Sequence, residues 1–365
     1  MATVLPVTAL APRHVTMPEV NQQTIADQLQ LSRATVSRCF TNHPGINPTT
    51  RARVFQLAAE LGYKHLEMRV PRKRKAAPNG IGVLICVEER EYRRNPYQNP
   101  GERILEGVTE CAQLHGTKVE VHLVDPKAQS ITDPCYLRLG EMRQRWDGLL
   151  LVYPFPDPVI TQLAPLLPIV SLVEQTDHAS IDCVDVDHYK GISTVIEHLT
   201  GHGHRRIGFF TRSYPVEASW SFRRYAAFTE QMARLRMPVR AKDVISVFPY
   251  PELGPAESVQ AAIERTGHGV TAWVCAADQQ AYELVRGLRK AGWRVPEDVS
   301  VTGFDGIAPS KDCPPLSTVE IPFREIGATG TQRLIDRIRR RFGFSQHVLI
   351  NCRLRAGGTV AAPRC

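Results

Sequence analysis

From Gly80 onward the sequence alternates between short apolar runs and helix-patterned stretches, and this alternation limits the fold more than any other feature. The run "IGVLICV" (81–87) is apolar throughout, as expected of a strand covered on both faces. "RILEGVTECAQLHG" (103–116) then has helical spacing, and "TKVEVHLVD" (117–125) alternates like a strand. "DGLLLVY", "PIVSLV", "RIGFFT", "AWVCAA" and "VSVTGFD" follow, with helical patterns between several of them. Strands alternating with helices predict parallel sheets joined by right-handed crossovers. About 285 residues of this pattern is long for one domain, so two α/β subdomains are expected. A ligand is then expected in the cleft beyond the carboxyl ends of the strands. Residues 80–358 are read as this unit and 359–365 as a C-terminal tail.

The chain before Gly80 has a different texture. Residues 21–63 predict three short helices. Asn21 and Ser32 are candidate N-caps for the first two. Asn47 can cap the third, Pro48 suits its first position, and Gly62 can end it. Residues 64–79 ("KHLEMRVPRKRKAAPN") are basic, carry Pro71 and Pro78, and read as a linker. Residues 1–20 lack the features of a signal peptide and read as a flexible arm. Charge separates the parts further. Residues 1–80 hold eleven Lys/Arg against four Asp/Glu, so seven of the eight net positive charges lie in the first fifth. A basic module on a near-neutral body fits a polyanion partner, because each neutralised phosphate releases counterions.

The segment "SRATVSR" (32–38) is polar on almost every face. Such a helix is explained if it is the second helix of a helix-turn-helix, burying a narrow edge of Leu31, Val36 and Phe40. The hydroxyls of Ser32, Thr35 and Ser37 then suit phosphate oxygens, and Arg33 and Arg38 reach base edges. The alternative is a small capped surface helix.

The stretch "TIADQLQLSRATVSRCFTNHPGINPTTRARVFQLAAELGY" resembles the DNA-binding head of the lactose repressor/galactose repressor (LacI/GalR) family. "HLTGHGHRRIGFF", "RYAAF", "TAWVCAADQQAYELVRGLRKAGWRVPEDVSVTGFD", "PPLSTVEIP" and "RLRAGGT" continue the resemblance to residue 358. It implies an all-α helix-turn-helix head on a periplasmic-binding-protein-like core. It also implies a homodimer that binds a pseudo-palindromic operator under control of an effector. By this resemblance Arg33, Ala34 and Arg38 read bases, and Ser32, Thr35 and Ser37 contact phosphate. Two departures stand out. The family's turn glycine is Gln30 here. In the linker, Arg72 falls where a leucine usually wedges into the minor groove, with Pro71 just before it. Arg72, Lys73, Arg74 and Lys75 either lie along the minor groove or form a solvated tether.

For the effector, Arg224 matches the family position whose guanidinium holds the ligand. Asp305 ends a predicted strand and can accept two sugar hydroxyls, the alternative being a helix cap. Asp278 occupies a family-marked place, but the usual preceding asparagine is Ala277, so a capping role competes with a binding one. Tyr97, Arg103 and Trp220 are weaker candidates, in a region loosely resembling xylose-operon-type members.

Several classes are disfavoured. The chain has no run of about 18 apolar residues, no GxxxxGK[ST] and no GxSxG. Nine dispersed cysteines suggest reduced thiols in the cytoplasm. His198, His202 and His204 read as a loop rather than a metal site. The expected protein is a ligand-responsive repressor, not an enzyme, with no cofactor or metal and no membrane contact. A dimer is favoured over a tetramer. The alternative is an α/β sugar receptor or enzyme with a basic anchoring arm.

Overall fold

The computed structural model describes residues 20–41, 43–63, 80–88, 100–140, 145–212, 219–247, 253–308, 311–340 and 344–364. Residues 1–19 of the expected arm, the linker 64–79 with Arg72, Lys73, Arg74 and Lys75, and Tyr97 lie outside them.

The head is built from α1 (Gln22–Leu29), α2 (Arg33–Phe40) and α3 (Pro48–Glu60). Each expected cap is in place. Asn21 Oδ1 accepts from the Gln23 and Thr24 amides, Ser32 Oγ from Thr35 and Asn47 Oδ1 from Thr49. Gln30 takes the left-handed conformation at φ 55°, and Gly62 does so at φ 65°. The buried edge of α2 differs in part from expectation. Val36 and Cys39 are fully buried, whereas Leu31 and Phe40 are half-buried. Phe40 sits on the rim of the helix, where its ring meets Phe55 and Tyr63.

The core has two lobes. In the first, β1 (Gly80–Cys86), β2 (Lys118–Val124), β3 (Gly148–Val152), β4 (Ile169–Leu172), β5 (Asp182–Val186) and β11 (His347–Ile350) form a parallel sheet. Its order is β11-β5-β4-β3-β1-β2. The helices are α4 (Pro100–Leu114), α5 (Pro134–Gly140), α6 (Asp157–Leu163) and, from late in the chain, α11 (Phe323–Arg340). Helices α4 and α11 meet backbone to backbone. A Cβ on Gly107 would stand 1.8 Å from the Arg324 carbonyl oxygen, and one on Gly327 2.1 Å from that of Ile104. Only glycine fits at this crossing.

The second lobe contains α7 (His188–Gly201), β6 (Ile207–Phe210), α8 (Ser219–Arg234), β7 (Val244–Ile245) and α9 (Pro255–Gly267). It continues with β8 (Ala272–Cys275), α10 (Asp278–Lys290), β9 (Ser300–Asp305), β10 (Ser317–Glu320) and β12 (Arg353–Arg355). The sheet order is β12-β10-β9-β8-β6-β7, parallel except for β12 against β10. The chain therefore crosses between lobes after β5, after β10 and after β11. The segment read as a tail is anchored here. Thr359 is fully buried, its carbonyl accepts from the Val301 amide, and its hydroxyl accepts from the Ser317 amide.

Head and core are packed together. Helix α3 lies against α4 and β2. One apolar cluster includes Val36, Val54 and Phe55 of the head and Leu105, Val108 and Val121 of the first lobe. Burial of this kind is the main favourable term in association.

Candidate nucleic-acid interface and effector cleft

Helical geometry divides α2 in two. Val36 and Cys39 turn inward, and Arg33, Ala34 and Arg38 stand exposed on the other side. Ser32 is exposed, while Thr35 and Ser37 are half-buried. The Ser32 and Thr35 hydroxyls are 2.8 Å apart. Helix α2 packs on α1 and α3, and its outer face remains open while the head is docked on the core. Arg51, 1 % exposed, ties the head together and to the core. Its Nη2 donates to the His43 carbonyl at 2.7 Å and its Nη1 to Gln113 Oε1 at 3.2 Å.

The second site is where strand ends of both lobes converge. Arg224 on α8 is buried at this convergence, on the second-lobe side. Its Nε donates to His188 Nδ1 at 3.2 Å, and its Nη1 donates to Asp305 Oδ1 at 3.3 Å and to the Ala276 carbonyl. The guanidinium stacks on Phe304, 3.8 Å from the ring centre, and lies 4.6 Å from that of Trp220. His188 in turn bonds Asp185 through Nε2 at 2.9 Å. Because Nδ1 accepts from Arg224, Nε2 carries the proton, and the ring is neutral. Burial holds the His188 pKa below its ordinary value, against the pull of Asp185. Burial opposes the Asp185 charge, but His188, Gln175 and the Val186 amide outweigh it and keep the carboxyl pKa low. The result is a chain, Asp185–His188–Arg224–Asp305, running from the first lobe to the second.

Asp305 does two jobs that the sequence presents as alternatives. It pairs with Arg224, and its Oδ2 accepts from the Asp278 amide at 3.4 Å, at the start of α10. Ala277 offers no side-chain cap there. Burial raises the Asp305 pKa, and Arg224 opposes the rise. Asp278 is fully buried, accepts from Thr318 Oγ1 and the Ile307 amide, and packs on Gly303. Its contacts fasten α10 to β9 and β10. Arg103 is exposed near the start of α4, over the Phe323 ring at 5.8 Å. The structure thus brings Arg224, Asp305, Trp220 and Asp278 together, while Arg103 faces the Phe323 ring.

Sequence reasoning missed Tyr153, Glu174, Asp185 and His188. Tyr153 directly follows β3 and is close enough to Asp305 for that charge to act on its phenol. Burial pushes the phenol up, opposed by the Gly101 amide at the start of α4. Glu174 follows β4, and His188 follows β5. Tyr153 and Glu174 each lie within two residues of an apolar run, where the strand-end rule would have pointed, whereas β5 before His188 carries two aspartates and forms no such run. The histidine loop is also resolved: His204 is buried, with Nδ1 on Thr271 and Nε2 on Ser300 and the Ala361 carbonyl. Among the described residues no group of three or more His, Cys, Asp or Glu converges as a metal site would require. No described helix is long and apolar enough to cross a membrane.

Residues 23–65 match the family model for bacterial regulatory proteins of the lacI family, and residues 196–360 match that for a periplasmic binding protein-like domain. The chain belongs to the LacI family. Along its length it is similar to the transcriptional repressor MelR of Bacillus subtilis (strain 168), 26% identical over 91% of this chain and 94% of that one. The lactose operon repressor of Escherichia coli (strain K12) is 25% identical over 88% of this chain and 85% of its own. Among solved structures, the CelR–cellobiose complex overlays with TM-score 0.64, at 22% identity, over 93% of this chain and 99% of that one. The lac repressor dimer bound to operator and an anti-inducer overlays with TM-score 0.61, at 22% identity, over 94% and 99%. These overlays share the LacI fold of helix-turn-helix head and two-lobed core. Like its named relatives, this LacI-family member is a transcription regulator and not an enzyme.

Proposed function

We propose that the protein is an effector-controlled repressor that binds a pseudo-palindromic operator as a homodimer in the cytoplasm, at the nucleoid. The observation that carries this reading is the open outer face of α2, with Arg33, Ala34 and Arg38 exposed on a helix whose other side is fully packed. Arg33 and Arg38 read guanine in the major groove, and Ala34 offers a methyl to thymine. Ser32, Thr35 and Ser37 hold the phosphates. Arg72, Lys73, Arg74 and Lys75 run along the minor groove in place of a leucine wedge. The effector is a sugar or other small metabolite. Arg224 and Asp305 supply donors and acceptors side by side, Trp220 supplies an apolar face, and the similar CelR structure holds cellobiose. Tyr97, Arg103 and Asp278 complete the candidate set.

The test is selection of bound duplexes from a random DNA pool by the full-length protein at a stated salt concentration. An enriched inverted repeat is expected, with an A·T-rich centre where the linker lies. Salt-sensitive binding with no enriched sequence would reduce α2 to a basic anchor.

A further inference from the structure

We propose that Glu174 is a clasp across the effector cleft: anchored in the first lobe, it caps the first turn of α8 in the second and holds the lobes together. This rests on reading the cleft as the effector site, but concerns a residue outside the Arg224–Asp305 set.

The clasp is built from both sides. Glu174 Oε1 accepts from the Ser219 amide at 3.1 Å. Ser219 is the first residue of the 16-residue helix α8, where unpaired amides and the helix dipole favour a carboxylate. A second bond runs the other way, from Ser219 Oγ to the Gln175 carbonyl at 3.3 Å. The turn that presents Glu174 is braced by Ser171 Oγ, which donates to the Glu174 carbonyl at 2.9 Å. Gln175 Nε2 also donates to Asp185 Oδ2 at 3.0 Å. Immediately before Glu174, Val173 stands at φ 58°. A β-branched residue rarely adopts that left-handed conformation, and such strain persists only where surrounding contacts impose it. Here the strained turn aims the carboxylate at α8.

The other oxygen is unspent. Glu174 is 7 % exposed, and Oε2 is buried without a hydrogen-bond partner among the described residues. Burial pushes its carboxyl up to about 7, with Asp185 adding to the rise and Ser219 and Arg223 opposing it. An ionised Oε2 only accepts, so an effector offering a hydroxyl or ammonium reinforces the clasp. An effector offering carboxylate or phosphate at that point opposes it.

The test compares full-length wild type with Glu174→Ala, Glu174→Gln and Ser219→Pro, free of DNA and effector. Amide exchange is followed in peptides covering 219–226, and lobe separation by small-angle scattering. Ser219→Pro removes the donor at a first helical position that tolerates proline. Glu174→Ala and Ser219→Pro should each raise the radius of gyration, and Glu174→Ala should speed exchange at the start of α8 at least about tenfold. Glu174→Gln, which keeps an acceptor for Ser219, should stay near wild type in both. Exchange in 80–86 and 300–305 shows that each variant is folded, and Ser219→Pro decides the matter if Glu174→Ala is not. Unchanged scattering in the folded variants overturns the clasp, even if the first turn of α8 exchanges faster. A failed operator selection leaves this readout untouched, so the two readings fall separately.

Discussion

The guanidinium of Arg51, in the third helix of the head, donates to Oε1 of Gln113, in the first helix of the core, over 3.2 Å. The same glutamine donates back through Nε2 to the Pro44 carbonyl at 3.1 Å. A single core side chain therefore holds both ends of the segment that leads into α3. Gln113→Ala should loosen the head without unfolding it, at a cost of about 1–2 kcal/mol. Amide exchange in 48–60 should accelerate while 300–305 stays protected. Equal protection of 48–60 in both proteins would mean that apolar packing alone docks the head.

Arg38→Ala should cost about 1–3 kcal/mol on the selected operator and leave binding to unrelated DNA nearly unchanged. Titrations of both duplexes at one salt concentration check this. Equal losses on the two would make Arg38 a phosphate contact.

Gln30 holds the left-handed turn between α1 and α2 at φ 55° with a side chain attached. Gln30→Gly relieves that strain but loosens the unfolded chain. The net expectation is a head more stable by roughly 0.5–1 kcal/mol. Exchange protection of α1 and α2 measures it, and a less stable head would show that the glutamine side chain contributes more than the strain costs.

Burial raises the Glu174 carboxyl from 4.5 to about 7. Between those values the folded chain keeps a proton that the unfolded chain has released. Its contribution to stability is thus full below the lower value and lost as pH rises through the upper one, by up to roughly 3 kcal/mol. Asp278 and Asp305, also raised by burial, act in the same sense. His188, lowered by burial, acts oppositely in acid. Comparing Glu174→Gln with wild type isolates the one group. The variant should gain stability relative to wild type between pH 5 and 8 in denaturant titrations. Parallel pH curves would show that Glu174 ionises normally.

Arg224→Lys keeps a positive charge beside Asp305 but loses the planar fork that spans His188, Ala276 and Asp305. Operator affinity should be unchanged, while any sugar that shifts the wild-type melting temperature should bind at least about tenfold more weakly, or 1.4 kcal/mol. Retained sugar affinity would place the effector elsewhere.

Helix caps at Asn21, Ser32 and Asn47 were readable because capping is local chemistry, set within three residues. The apolar runs likewise announced their strands, since strands covered on both faces are built mainly from apolar side chains, whereas β5, with Asp182 and Asp185 buried, carries no such run. Arg224 and Asp305 came from family resemblance and a strand end. The chain Asp185–His188–Arg224 was not readable, because Asp185 and Arg224 are 39 positions apart and are linked only when α8 packs on α7. The Arg51–Gln113 contact was hidden for the same reason. Arg51 reads as one more charge in a basic head, and only docking makes it interior.

The three crossings between lobes also set an order of assembly. On a ribosome, β1 to β5 emerge first, yet their sheet lacks the β11 edge and the α11 cover until residues 323–350 have appeared. Most of the second lobe emerges in between. The lobe begun first is therefore finished after most of the other has been made. Until then the β5 edge and the glycine-lined surface of α4 face the cellular milieu uncovered.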